Sequence, residues 1–132
     1  MSLSVLLAKD NDVVVFDLDP TRVAQINNNQ STVRDFGIED TLCNDTLNLS
    51  ATIQKRKAYL GADFIIIATP TDYNSHTNAF NTSSVDEVVK DILAINQTCL
   101  IVIKSTVPVG YTRDLQTRFN TGRVIFSPEF LR

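Results

Sequence analysis

Polar side chains recur directly after runs of apolar, β-branched residues, the position at which an open parallel sheet presents chemistry to a ligand. Asp17 follows Val13-Val14-Val15-Phe16, and Arg22 lies a little further on. A carboxylate at such a strand end can accept hydrogen bonds from both hydroxyls of a dinucleotide ribose, and a guanidinium one turn into the next helix can meet a phosphate. The alternative is local: Asp17 ends a strand and Asp19 caps a helix. After a second apolar run comes Ala68-Thr69-Pro70-Thr71-Asp72, whose Thr69 and Thr71 hydroxyls are placed either to touch a ligand or to shape a turn. A third run leads into Lys104-Ser105-Thr106-Val107-Pro108-Val109-Gly110, where a cation, two hydroxyls and a helix start fit ligand contact better than packing. A fourth leads into Ser127-Pro128-Glu129-Phe130-Leu131-Arg132, with Glu129 and Arg132 beyond the strand. His76, in the polar loop from Tyr73 to Thr82, reads as a solvated side chain.

Four strands must carry these residues: 12–16, 64–68, 100–103 and a weaker 124–126. Their continuous apolar character predicts strands buried on both faces of a parallel sheet. Asp19-Pro20 reads as the cap and first residue of a helix through Val23, Ala24 and Ile26. Ser84-Val85-Asp86-Glu87 reads as a capping box, followed by Val88, Val89, Ile92 and Leu93 at helical spacing. Thr112 to Phe119 is a further helix, with only Leu115 and Phe119 on its apolar face. The stretch from Asn27 to Ser50 is weakly patterned; a short strand near Leu47 to Thr52 and a helix through Tyr59 are compatible with it. Ahead of the first strand, Leu3, Val5, Leu6, Leu7 and Ala8 look like the second half of a helix. Strands alternating with helices predict an α/β fold: a Rossmann-like parallel sheet with right-handed connections and helices on both faces.

The 132 residues suffice for one domain, 1–132, and 43% hydrophobic with 20% charged residues is ordinary globular composition. A net charge of −3, with the twelve Lys and Arg scattered, predicts no nucleic-acid and no membrane partner. No apolar run approaches the roughly 20 residues of a bilayer span, and the start lacks a basic n-region, so the expected localisation is cytoplasmic. Cys43 and Cys99, with no CxxC and a single histidine, read as reduced thiols, and no metal site is expected. The Asn-x-Ser/Thr matches at Asn29, Asn44, Asn48, Asn81 and Asn96 carry no meaning without secretion. Asp17-Leu18-Asp19-Pro20-Thr21 also fits the DxDxT pattern of haloacid-dehalogenase-type Mg²⁺ phosphohydrolases, with Thr69 and Lys104 able to stand for later motifs. That scheme needs an acidic pair after a later strand, where only Glu129 is found, and its motif belongs on the first strand, not after an opening helix.

Taken together, the segments around Val14-Val15-Phe16-Asp17, Ala68-Thr69-Pro70-Thr71-Asp72-Tyr73, Phe80-Asn81-Thr82-Ser83-Ser84, Lys104-Ser105-Thr106-Val107-Pro108-Val109-Gly110 and Ser127 to Arg132 closely resemble the N-terminal NAD-binding domain of the UDP-glucose/GDP-mannose dehydrogenase family, and within it the UDP-glucose enzymes. The resemblance covers nearly the whole chain. It implies oxidation of the C6 alcohol of UDP-glucose to a carboxylate, with two NAD⁺ reduced and a thioester formed on a catalytic cysteine. By the same resemblance Asp17 binds the adenosine ribose, Arg22 the neighbouring phosphate, and Thr71 and Thr106 the cofactor. Thr106 also helps hold the hydrolytic water, Glu129 assists acid-base steps, and Glu129, Phe130, Leu131 and Arg132 begin the segment that grips substrate. GDP-mannose and UDP-N-acetylmannosamine dehydrogenases are the alternatives within the family, and a non-catalytic folding module is the alternative outside enzymology.

Relative to that family the sequence lacks a first strand with its Gly-x-Gly-x-x-Gly turn, and neither Cys43 nor Cys99 lies in the cysteine motif. The expectation is a domain truncated at both ends, inactive alone, belonging to an enzyme that acts on UDP-glucose and is a homo-oligomer. The missing strand is central in the order 3-2-1-4-5-6. Its absence is expected to leave open strand edges, closed either by direct pairing of 13–16 with 64–68 or by a second copy.

Overall fold

The structure, a computed structural model, describes residues 1–34, 36–44, 46–76 and 79–128. The chain forms two compact units, Met1–Ala58 and Tyr59–Arg132.

The first unit contains α1 (Ser2–Leu7), β1 (Val13–Phe16), α2 (Pro20–Asn27), α3 (Phe36–Asn44) and β2 (Leu49–Thr52), with α4 (Lys55–Tyr59) at its end. Strands β1 and β2 pair in parallel, Val13 opposite Leu49 through Phe16 opposite Thr52, and parallel neighbours need a long crossover. Helices α2 and α3 provide it. Asp19 caps α2 by accepting from the Thr21 amide at 2.8 Å, and Pro20 takes the first helical position, where no amide hydrogen is missed. Val5 of α1 buries against Ile38 and Leu42 of α3, with Met1, Leu47 and Leu49 packed around them. Those two α3 residues, four apart on one face, are the helix's buried apolar contribution, which is why the segment looks unpatterned in sequence.

The second unit contains β3 (Phe64–Ile67), a hairpin of β4 (Asp72–Asn74) and β5 (Ala79–Asn81), then α5 (Ser83–Ile95), β6 (Leu100–Ile103), α6 (Tyr111–Arg118) and β7 (Val124–Phe126). Its parallel sheet has the order β3-β6-β7, with Phe64 opposite Leu100 and Ile101 opposite Val124. Both crossovers step the same way across the sheet, so right-handed connections place α5 and α6 on one face. Ile65, Ile67, Ile101, Ile103 and Val124 line that face at 0–8% exposure, and Val85, Val89 and Ile92 of α5 and Leu115 of α6 are fully buried.

Burial on both faces of every strand is therefore not what is found. In β3 the residues alternate, Phe64 being 67% exposed and Ile66 38% while Ile65 and Ile67 are buried, because the unit's helices cover one face only. Val14 of β1 is likewise exposed. Strands β1 and β3 each end their own sheet, so neither outer edge is closed by a ladder within its unit. The capping box also differs: α5 starts at Ser83 with Thr82 at the cap position and no side-chain cap bond from it. The Ser84 hydroxyl instead donates to the Pro70 carbonyl at 3.1 Å, and Asn81 Oδ1 accepts from the Ser83 amide. Where a polar loop was expected, the β4–β5 hairpin pairs Tyr73 with Phe80.

Candidate functional site

In the first unit the carboxyl end of β1 gathers three charged side chains. The Asp17 amide donates to the Thr52 carbonyl at 3.3 Å, extending the β1–β2 ladder by one bond. Its Oδ1 accepts from the Asp19 amide at 2.9 Å, and Arg22 Nη1 stands 3.6 Å from its Oδ2. Arg22 Nε lies 3.8 Å from Asp19 Oδ2. The local reading of this turn is realised, since Asp19 is the helix cap and Asp17 shapes the turn, with its Oδ2 toward Arg22. The Arg22 side chain is 60% exposed and that of Asp17 28%. Pairs this exposed are worth about 0–1 kcal/mol, so Arg22 can exchange its carboxylates for a phosphate at little cost. Leu18 (79% exposed) and Ile53 (54%) stand on the surface just past the ends of β1 and β2. Sequence reasoning missed them; their signal is an apolar residue placed immediately after the polar strand end.

In the second unit the loops that leave β3 and β6 are cross-linked by hydroxyl groups. The Thr71 hydroxyl donates to the Thr106 carbonyl at 2.7 Å, and the Ser105 hydroxyl donates to the Thr69 carbonyl at 2.7 Å. The Lys104 and Ser105 amides both reach the Ile67 carbonyl, at 2.8 and 3.3 Å. Ser105 is buried, Thr71 and Lys104 are half-buried, and Thr106 is exposed. Thr71 and Thr106, singled out from sequence, are thus brought together, though by a bond between side chain and backbone that leaves Thr71 Oγ1 able only to accept from a ligand. Ser105 was expected only as part of a hydroxyl-bearing loop. Gly110, at φ +85°, turns the chain into α6, a left-handed conformation that glycine adopts at least cost.

Behind these loops α5 and α6 are joined by a polar network. The Tyr111 hydroxyl donates to Asp86 Oδ1 at 2.5 Å, Arg118 Nη2 lies 3.0 Å from the same oxygen, and Arg118 Nε bonds Asp114 Oδ2 at 2.7 Å. Burial opposes the Asp86 charge, but the hydrogen bonds from Arg118 and Tyr111 outweigh it and hold the carboxyl below its ordinary pKa. Burial first, then the Asp86 carboxylate, pushes the Tyr111 phenol upward. Tyr111, Asp114 and Arg118 share α6, but their link to Asp86 of α5 spans 25 residues or more and has no local signal in the sequence.

Glu129, Phe130, Leu131 and Arg132 lie outside the described residues. His76 is exposed. Cys43 and Cys99 are both free; burial raises the Cys99 pKa, with Arg123 opposing the shift. Among the described residues no group of His, Cys, Asp and Glu is placed to hold a metal ion, and no helix is long and apolar enough to cross a membrane.

A family model described as the UDP-glucose/GDP-mannose dehydrogenase family, NAD binding domain, matches residues 1–132. The UDP-glucose 6-dehydrogenase of Streptococcus pneumoniae is 47% identical over 132 residues, 100% of this chain and 34% of that protein. That of Campylobacter jejuni is 44% identical over 131 residues, 98% of this chain and 33% of that protein. This chain spans about a third of the length of these relatives. Among solved structures, a GDP-mannose dehydrogenase from Pseudomonas aeruginosa superposes with a TM-score of 0.82 at 23% identity, over 98% of this chain and 34% of that one. The fold is accordingly the Rossmann-like α/β arrangement expected from the alternating elements.

Proposed function

Because the chain belongs to the UDP-glucose/GDP-mannose dehydrogenase family, as its NAD binding domain, we propose that it supplies the cofactor-binding part of an NAD-dependent UDP-glucose 6-dehydrogenase. The full-length enzyme oxidises the C6 alcohol of UDP-glucose to the carboxylate of UDP-glucuronate. Identities of 47% and 44% along this chain to two UDP-glucose 6-dehydrogenases support this choice of substrate.

NAD⁺, when bound, accepts hydride. The residues that would hold it fit its parts. Asp17 Oδ2, next to Arg22 at a strand end, suits a ribose hydroxyl, and Arg22 suits the adjoining phosphate. Leu18 and Ile53 offer apolar surface to a flat base. Thr71, its proton committed to the Thr106 carbonyl, accepts from a cofactor hydroxyl or amide, while the Thr106 hydroxyl contacts cofactor and orients the hydrolytic water. Glu129 serves acid-base steps, and Glu129, Phe130, Leu131 and Arg132 contact substrate. Within these 132 residues the glycines, Gly37, Gly61, Gly110 and Gly122, are not spaced as the Gly-x-Gly turn that cradles a pyrophosphate. We further assign the protein to the cytoplasm as a homo-oligomer, with no nucleic-acid or membrane partner.

Calorimetric titration of the chain with NAD⁺ tests this. Weak, saturable binding that disappears in Asp17→Ala is expected. Micromolar affinity would contradict the role of the absent glycine turn, and binding indifferent to Asp17→Ala would remove Asp17 from the site.

A further inference from the structure

The loops after β3 and β6 are joined by two hydroxyl-to-carbonyl hydrogen bonds, Thr71 to the Thr106 carbonyl at 2.7 Å and Ser105 to the Thr69 carbonyl at 2.7 Å, and Ser84 of α5 adds one from its hydroxyl to the Pro70 carbonyl at 3.1 Å. Two of them bracket a single residue. Upstream of Thr106, Ser105 is 7% exposed and is fixed through its hydroxyl to Thr69 and through its amide to Ile67. Downstream, the Thr106 carbonyl is held by Thr71. The backbone at Thr106 is therefore tied to the end of β3 on both sides, while its side chain lies at an exposed position.

We propose that Ser105 is a positioning residue for Thr106, its buried hydroxyl forming with that of Thr71 a clasp that fixes where the Thr106 side chain meets the cofactor. This rests on the reading of Thr106 as a cofactor contact. The clasp has a second effect of the same sign. An anionic dinucleotide is repelled by carbonyl oxygens, and the Thr69, Pro70 and Thr106 carbonyls at the ligand end of the sheet each accept a hydroxyl proton from within the protein. Preorganisation of this kind lowers the ordering cost at binding, because the contact is already in place when the ligand arrives.

A double-mutant cycle on NAD⁺ affinity separates positioning from general support. Dissociation constants for NAD⁺ are measured for the wild-type chain, Ser105→Ala, Thr106→Ala and the double variant, with thermal unfolding of each as a control. Expected are a loss of about tenfold for Ser105→Ala in the wild-type background and less than about twofold in the Thr106→Ala background. Ser105→Cys, which keeps the side-chain volume with a weaker donor, gives a smaller loss with the same background dependence, and it serves where the alanine variant does not fold. Equal losses in both backgrounds, or none in the wild type, overturn the positioning role and leave the cofactor reading intact. Wild-type affinity in Thr106→Ala, or no saturable NAD⁺ binding by the wild-type chain, overturns the cofactor reading and the positioning role together.

Discussion

Asn96 shows how much one amide can do. It sits at the end of α5, 5% exposed, and donates to the Tyr59 and Ala62 carbonyls at 2.8 and 2.9 Å. Its Oδ1 accepts from the Thr98 and Cys99 amides, both at 3.0 Å, and from the Thr98 hydroxyl at 3.2 Å. Replacing it strands buried backbone groups that have no alternative partner of the right shape, so Asn96→Ala is expected to cost about 3 kcal/mol in urea unfolding. Asn96→Asp is expected to fare no better, because a carboxylate cannot donate to two carbonyls. In the sequence Asn96 is visible only as an Asn-x-Thr match; its side-chain partners come from two segments, one of them more than 30 residues away. The placement of Asp17 and Thr106 beyond strand ends, by contrast, was legible because the apolar runs before them mark β1 and β6. Asp86 gives a test by pH. Its folded pKa is lowered, so its contribution is present above the unfolded carboxyl value and is lost as pH falls through the folded value. The stability difference between wild type and Asp86→Asn is therefore expected to be present at neutral pH and to vanish in strong acid.

Helix starts in this protein are held in different ways, and the difference is measurable. At α2 the Asp19 carboxylate caps the Thr21 amide directly, so Asp19→Ala is expected to cost about 1 kcal/mol. At α6 the cap position is Gly110, with φ +85° and nothing within 4 Å of where a Cβ would stand. Gly110→Ala is then penalised by backbone conformation alone, again about 1 kcal/mol, a cost that chemical denaturation would read without any packing contribution. Elements with long apolar runs or a direct cap, such as β1, β6 and α2, were readable from local pattern. Helix α3 and the β4–β5 hairpin were not, since the buried pair of α3, Ile38 and Leu42, is too short a series to show a helical period and the hairpin sits in polar sequence. One-sided burial of β3 was also hidden: Phe64-Ile65-Ile66-Ile67 reads the same whether helices cover one face or two.

At the scale of the whole chain, catalysis is expected to be absent. Neither cysteine is equipped as a nucleophile: Cys99 is 1% exposed with its pKa raised, and Cys43, though exposed, lies outside the cysteine motif of the family. Incubation with UDP-glucose and NAD⁺ should yield no NADH above a protein-free control, and formation that Glu129→Gln abolishes would contradict this. Apolar exposure on one sheet face, at Phe64, Ile66 and Ile125, favours self-association; Phe64→Lys is expected to lower the scattering mass at high concentration without lowering the unfolding midpoint. The edge of β2 away from β1 is treated differently. Because the Asp17 amide bonds the Thr52 carbonyl and carbonyls alternate along a strand, the Ala51 carbonyl points away from β1. There the Asn27 side chain donates to it at 3.0 Å and accepts from the Ala51 amide at 2.8 Å, copying with one primary amide the pair of bonds a neighbouring strand would make. The side chain is a decoy peptide group, occupying the site from which a cross-β stack could grow. Asn27→Leu would vacate it, and fibril growth followed by thioflavin fluorescence should then begin sooner than in the wild-type protein.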